Sequence, residues 1–330
     1  MQPFNYTRAT TTADAVTAIG SEIPTKFLGG GTNLIDLMKS GVEHPQKLVD
    51  VTRLPLAEIT ELSDGGVRIG AMVRNSETAN HPLIRQRYPL LSQALLSGAT
   101  AQLRNMATVG GNLMQRTRCY YFYDPTMPCN KREMGSGCAA IEGFNRIHAI
   151  LGASEHCIAT HPSDMCVALA ALDAVVQVQG SSGEREIPVT EFHRLPEDTP
   201  QQDTNLQPDE LITAVDLPAS TLAAHSYYLK VRDRASYAFA IVSVAAALEL
   251  EENKIKFARI ALGGVAHKPW RTVEVEEMLV NQSPETEQFQ QAAALALQNA
   301  RPYPHNAFKV ELAQRAIVRA LETATAGGIA

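Results

Sequence analysis

Residues 115–157 carry four of the chain's five cysteines and almost no apolar periodicity. A stretch of that length without a hydrophobic face to bury is uncommon in a compact domain and is usually functional. Cys119, Cys129, Cys138 and Cys157 are separated by nine, eight and eighteen residues, among turn residues such as Pro128, Gly135, Gly137 and Gly143. Four thiolates can hold a structural zinc ion or an iron–sulfur cluster. No Cys-x-x-Cys pair is present, so neither the zinc-ribbon nor the ferredoxin spacing is matched, and unrelated thiols stay open as a third reading. Cys166 lies in an apolar helical run with Met165, Val167, Ala168 and Leu169 and reads as a buried small hydrophobe.

Upstream, strands and helices alternate. Phe4 and Tyr6 mark a short strand, and Thr12 is expected to cap a helix through Val16. Lys26-Phe27-Leu28 reads as a strand running into Gly29-Gly30-Gly31-Thr32-Asn33 and then a helix with Leu34, Ile35, Leu37 and Met38 on one face. Successive N–H groups in such a turn form an anion nest, and a pyrophosphate is its natural guest. The pattern is neither a P-loop nor the Rossmann spacing, and by itself it also fits an ordinary tight turn. Thr108-Val109-Gly110-Gly111-Asn112 is a second glycine turn, with a bulge as its plainer reading. Ser163-Asp164 fits a helix N-cap as well as a ligand site. Lys230 either offers a cation to an anionic cofactor ring or is a solvated strand residue.

Further strands are expected over 48–51, 66–71 and 174–179, a helix over 88–97, and a loop or linker over 196–209. A β-hairpin is expected from 238–251 and 254–262, followed by helices over 284–300 and from about 306. With 45% hydrophobic residues the chain can bury a real core, and its net charge of −6 argues against a general nucleic-acid binder. The longest apolar stretch, 238–250, is broken by Ser243 and Glu249 and is shorter than the ~20 residues a spanning helix needs, so no membrane insertion is expected. The opening residues lack a basic stretch followed by an apolar one, so export would depend on a signal-bearing partner.

Together these segments carry a resemblance. Phe27-Leu28-Gly29-Gly30-Gly31-Thr32-Asn33-Leu34 and Arg104-Asn105-Met106-Ala107-Thr108-Val109-Gly110-Gly111-Asn112 resemble the two FAD-binding motifs of xanthine dehydrogenase-type flavoproteins. Ser163-Asp164, Lys230-Val231-Arg232-Asp233-Arg234 and Leu262-Gly263-Gly264-Val265-Ala266 continue the match in the same order, over essentially the whole chain. Within this molybdenum hydroxylase family the sequence looks most like the FAD-binding subunits of bacterial periplasmic aldehyde oxidoreductases. Those subunits, and the comparable subunit of 4-hydroxybenzoyl-CoA reductase, carry an insert with an extra [4Fe–4S] cluster that xanthine dehydrogenases usually lack. Gln115-Arg116-Thr117-Arg118-Cys119, Pro128-Cys129-Asn130-Lys131-Arg132 and Gly135-Ser136-Gly137-Cys138 look like the aldehyde oxidoreductase version.

The resemblance implies an α+β protein: a two-subdomain PCMH-type FAD-binding fold (1–56 and 57–222, with an iron–sulfur insert over 115–160) and a C-terminal α+β domain of the CO dehydrogenase flavoprotein type (223–330). It implies FAD held by Lys26, Phe27, Leu28, Gly29, Gly30, Gly31, Thr32, Asn33 and Leu34, with Thr108, Gly111, Asn112, Ser163, Asp164, Ile212 (or Leu211) and Lys230 around it. It implies a [4Fe–4S] cluster on Cys119, Cys129, Cys138 and Cys157. It further implies a heterotrimer with a [2Fe–2S] subunit and a large molybdenum-cofactor subunit, in which this chain passes electrons to an external acceptor and has no catalytic residue of its own. Periplasmic location would follow co-export with the partner. A 4-hydroxybenzoyl-CoA reductase-like subunit, a stand-alone flavin oxidoreductase and a chiefly structural subunit are the competing expectations.

Overall fold

The computed structural model describes residues 1–20 and 23–328 of the chain. Strands β1 (Asn5–Arg8), β2 (Thr25–Leu28) and β3 (Lys47–Asp50) form a parallel sheet in the order β1-β3-β2. Parallel neighbours require crossovers, and the helices Thr12–Ile19 and Leu34–Lys39 supply them. The first helix opens in a capping box: the Asp14 N–H donates to Thr11 Oγ1 at 3.1 Å and the Thr11 N–H to Asp14 Oδ2 at 3.2 Å. The cap is therefore Thr11 rather than the expected Thr12, because Thr11 has the extended backbone an N-cap needs (φ −132°, ψ 161°).

Asp50 closes the end of β3. Its carboxylate accepts from the Thr52 N–H at 2.8 Å, from Arg8 Nε at 3.1 Å and from the Tyr6 hydroxyl. Burial pushes the Asp50 pKa up, but these donors outweigh it and leave it at about 2. A depressed carboxylate pKa stabilises the fold above the unfolded value of 3.8, and that stabilisation is lost as pH falls through about 2. Asp50→Asn should therefore lower unfolding stability by about 2 kcal/mol near neutrality. The difference from the unaltered chain should vanish in acid-titration melts approaching pH 2; a difference constant across the titration would contradict this.

The second sheet is antiparallel: β4 (Ile59–Glu61), β5 (Val67–Gly70), β6 (Val175–Gly180), β7 (Gly183–Pro188) and β8 (Leu211–Leu217), in the order β4-β5-β8-β6-β7. The third, also antiparallel, has β9 (Ser226–Val231), β10 (Val242–Glu251), β11 (Lys254–Gly263) and β12 (Trp270–Arg271) in the order β12-β11-β10-β9. Inner residues of both sheets share one core with the helices Pro89–Ser97 and Asp164–Ala171. The latter is buried along its whole length, which is why it is apolar all round. In β10, Ala245 and Ala247 face that core. Val244, Ala246 and Leu248 face a second core under the helices Thr286–Ala296 and Phe308–Thr325. Both faces are covered, so the strand reads as an unbroken apolar run rather than an alternating one. It begins at Val242, later than the expected 238, after a loop that holds Tyr237 in the left-handed region (φ 52°).

The cysteine-bearing segment docks on the C-terminal part through Ile150 and Leu151, buried in its core, and through polar contacts. Fully buried Lys309 donates to the His148 carbonyl at 2.8 Å and to that of Gly264, and Asn306 Nδ2 donates to the carbonyls of His148 and Ala149 at 3.2 Å each.

Candidate functional site

The strand β2 delivers the chain into a cavity of about 460 Å3, within the roughly 300–1,000 Å3 of small-molecule and cofactor pockets. Lys26, Phe27, Leu28, Gly29, Gly30, Gly31, Thr32, Asn33 and Leu34 line it, together with Thr108, Gly111 and Ile212. The two glycine segments are pressed together. A Cβ on Gly30 would lie 2.0 Å from the Met106 carbonyl oxygen, and Gly31 has φ +73°, which side chains rarely adopt. Among the described residues none accepts a hydrogen bond from the main-chain N–H groups of Gly29 through Leu34. A row of unpaired donors on a concave wall suits the pyrophosphate of a dinucleotide. The second glycine segment is a short helix, Val109–Leu113, rather than the expected bare turn, and the Gly111 N–H donates to its cap, Thr108 Oγ1, at 3.2 Å.

Four of the residues expected around FAD, Asn112, Ser163, Asp164 and Lys230, are not among those that line the cavity. Ser163 caps the helix Asp164–Ala171, accepting from the Cys166 N–H at 3.1 Å, and its hydroxyl donates to Asn112 Oδ1 at 2.7 Å. The Asp164 carboxylate receives the Tyr228 hydroxyl at 2.8 Å and Lys230 Nζ at 2.7 Å. With its side chain only 3% exposed, Lys230 is not the solvated strand residue that was its plainer reading. These residues brace the Val109–Leu113 helix and the neighbouring core.

The remaining wall comes from the 196–209 segment, which the sequence marked only as a loop. Asp203, Thr204, Leu206 and Gln207 line the cavity with Arg116 and His193. His193 is 2% exposed; its Nε2 lies 2.9 Å from the Leu113 carbonyl, and its Nδ1 has no hydrogen-bond partner. Burial lowers its pKa to about 4, so it is neutral at ordinary pH. Burial pushes the Asp203 carboxyl up, but Lys131 and Arg116 together hold it well below the usual carboxylate range. The only sequence sign of this wall was its acidic, Pro- and Gln-rich composition, which describes any exposed loop.

A second, small pocket is lined by Cys119, Cys129, Cys138 and Cys157, with Asn130 and Lys131. Cys129 and Cys138 face each other across an isolated antiparallel bridge. Asn130 closes that loop: its Oδ1 accepts from the N–H groups of Gly135 and Gly137 at 3.0 and 2.9 Å, and its Nδ2 donates to the His156 carbonyl at 3.0 Å, next to Cys157. Burial pushes the Cys119 thiol up to about 12, Cys157 to about 11, and Cys138 in the same direction. Clustered buried thiols of this kind become thiolates when a metal cation compensates them. Four such thiols are a donor set that suits an iron–sulfur cluster as well as a zinc ion. Cys166 is fully buried in the main core, apart from this pocket.

Comparison with known proteins bears on the setting of the larger cavity. The model of the FAD binding domain in molybdopterin dehydrogenase matches residues 2–220, and that of the CO dehydrogenase flavoprotein C-terminal domain matches 227–324. The chain is 49% identical to the aldehyde oxidoreductase FAD-binding subunit PaoB of Escherichia coli, over 99% of each. It belongs to the FAD-binding subunits of the molybdopterin dehydrogenase family. Another member, the glyceraldehyde dehydrogenase medium chain of Sulfolobus acidocaldarius, is 29% identical over 84% of this chain and 81% of its own. The fold matches that of carbon monoxide dehydrogenase from Hydrogenophaga pseudoflava, with a TM-score of 0.78 at 24% identity over 99% of each chain. The expected α+β architecture, an FAD-binding part followed by a CO dehydrogenase flavoprotein-type domain, thus holds, and the cavity lies in the FAD-binding part.

Proposed function

We propose that this chain is the FAD- and [4Fe–4S]-binding electron-transfer subunit of a heterotrimeric, molybdenum-dependent aldehyde oxidoreductase. Its partners would be a [2Fe–2S] subunit and a large molybdenum-cofactor subunit, and a signal-bearing partner would carry it to the periplasm. The observation that carries this reading is the presence, in one FAD-binding chain, of a second pocket lined by four buried or half-buried cysteines. FAD, when bound, supplies the exchange of electrons between one-electron centres and an external acceptor. The chain's own part is placement. The N–H groups of Gly29 to Leu34 receive the pyrophosphate, Thr108 and Gly111 close the opposite wall, and Leu211 and Ile212 offer an apolar surface. Ser163 bonds Asn112, the neighbour of Gly111 in that wall, and the Asp164–Lys230 pair holds the start of the same helix that Ser163 caps. Cys119, Cys129, Cys138 and Cys157 hold the cluster.

Co-purification from the native host tests the assignment. The tagged chain should bring down two different subunits, and aldehyde should bleach the flavin absorbance in that complex but not in the chain alone. A chain that turns over aldehyde with no molybdenum present would overturn it in favour of a stand-alone flavin oxidoreductase.

A further inference from the structure

We propose that Lys131 sets the reduction potential of the group held by the four cysteines, and that Asp203 and Arg116 fix it in place from the wall of the flavin cavity. The proposal rests on the four-cysteine pocket holding an iron–sulfur cluster. Lys131 lines that pocket beside the cysteines, and no carboxylate lines it among the described residues. The Lys131 side chain is 1% exposed. Its ammonium donates to the Pro200 carbonyl at 2.7 Å and to Asp203 Oδ1. Asp203 Oδ2 in turn accepts from Arg116 Nε at 2.7 Å, and Arg116 Nη1 reaches Glu43. Glu43, Arg116 and Asp203 all line the flavin cavity. A row of alternating charges therefore runs from one cofactor pocket to the other, and its end at the sulfurs is positive.

Burying an ammonium is costly unless it is paired and fixed, so the Asp203 contact accounts for how Lys131 is held but not for its place beside four thiols. Its fixed ammonium sets up a positive field at the sulfurs. The same field acts on electrons. Adding one electron from a reductant breaks no bond and makes the pocket one unit more negative, and a fixed cation at low effective dielectric stabilises that state. Asp203, one step further away, opposes the effect while orienting its source.

The test is an EPR-monitored redox titration of the complete complex, with iron content measured in parallel. At the potential where the unaltered cluster is half reduced, Lys131→Gln should lower the reduced-to-oxidised ratio about tenfold, which is ~59 mV for a one-electron couple. Lys131→Arg, which keeps the charge, should stay within about threefold of the unaltered protein. Asp203→Asn should shift the ratio the other way, and it tests the proposal should Lys131→Gln fail to load iron. Unshifted midpoints in fully loaded Lys131→Gln, or an Asp203→Asn shift that is absent or of the same sign, would overturn the proposal. Absence of iron from the unaltered subunit would instead overturn the cluster reading beneath it.

Discussion

Serine at Cys119, Cys129, Cys138 or Cys157 should strip about four irons from each copy of the subunit, while Cys166→Ser leaves the iron content unchanged. All four thiols line one pocket, and a serine hydroxyl is a poor substitute for a thiolate toward iron. Cys166 belongs to the main core with Val167, Leu169 and Val215, away from that pocket. The substitutions should also reach the fold. The apolar support of the insert is a small cluster of Leu37, Phe122, Ala140, Ile158 and Ala159 around the cysteines, together with Ile150 and Leu151 in the second core. Ligation would thus add to a small apolar core; structural zinc sites of comparable size contribute about 10–16 kcal/mol. Limited proteolysis should show cleavage within 115–160 in each of the four variants and not in Cys166→Ser. Iron retained in all four, or lost only with Cys166, would contradict the assignment.

Gly30→Val should lower the FAD content of the purified complex at least about tenfold, because there is no room for any side chain at that position. The Cβ would sit 2.0 Å from the Met106 carbonyl oxygen and 2.8 Å from its carbon, both main-chain atoms held in place by Arg74 and by the Asn75 N–H donating to Ala107. From sequence alone, the glycine is expected to admit the cofactor's close approach. In the structure it first admits the other wall of the cavity. Gly20→Ala, whose Cβ meets nothing nearer than 3.8 Å, should retain FAD. Acid precipitation of the unaltered complex should release the flavin into the supernatant, since neither glycine motif contains a His or Cys to tether it; flavin remaining in the pellet would contradict non-covalent binding.

Local chemistry made much of the site legible. The glycines at 29–31 and the four clustered cysteines are residues whose identity serves few other purposes, and the structure gathers each set around one cavity. What stayed hidden depends on tertiary placement. His193, Asp203 and Leu206 belong to a segment with no period of its own, brought to the cavity by a bridge between His193 and Thr204. Asp164 and Lys230 are sixty-six residues apart, and only the packing of β9 against the helix Pro89–Ser97 and its neighbour Asp164–Ala171 makes them a buried pair. The helix Asn75–Asn80 was missed because its polar sequence shows no apolar face. Glu77 carboxylate Oε2 accepting from the Arg74 N–H marks its start, and its burial comes from neighbours.

One chain is proposed to hold both FAD and a four-cysteine iron–sulfur cluster. Quantifying iron, acid-labile sulfide, zinc and flavin in the purified complex, with the unaltered chain and with Cys138→Ser, tests it most directly. The unaltered complex should exceed the variant by about four irons and four sulfides per chain, with zinc unchanged and one FAD in the unaltered chain. A difference of one zinc with no sulfide, or no difference in metal at all, would contradict it.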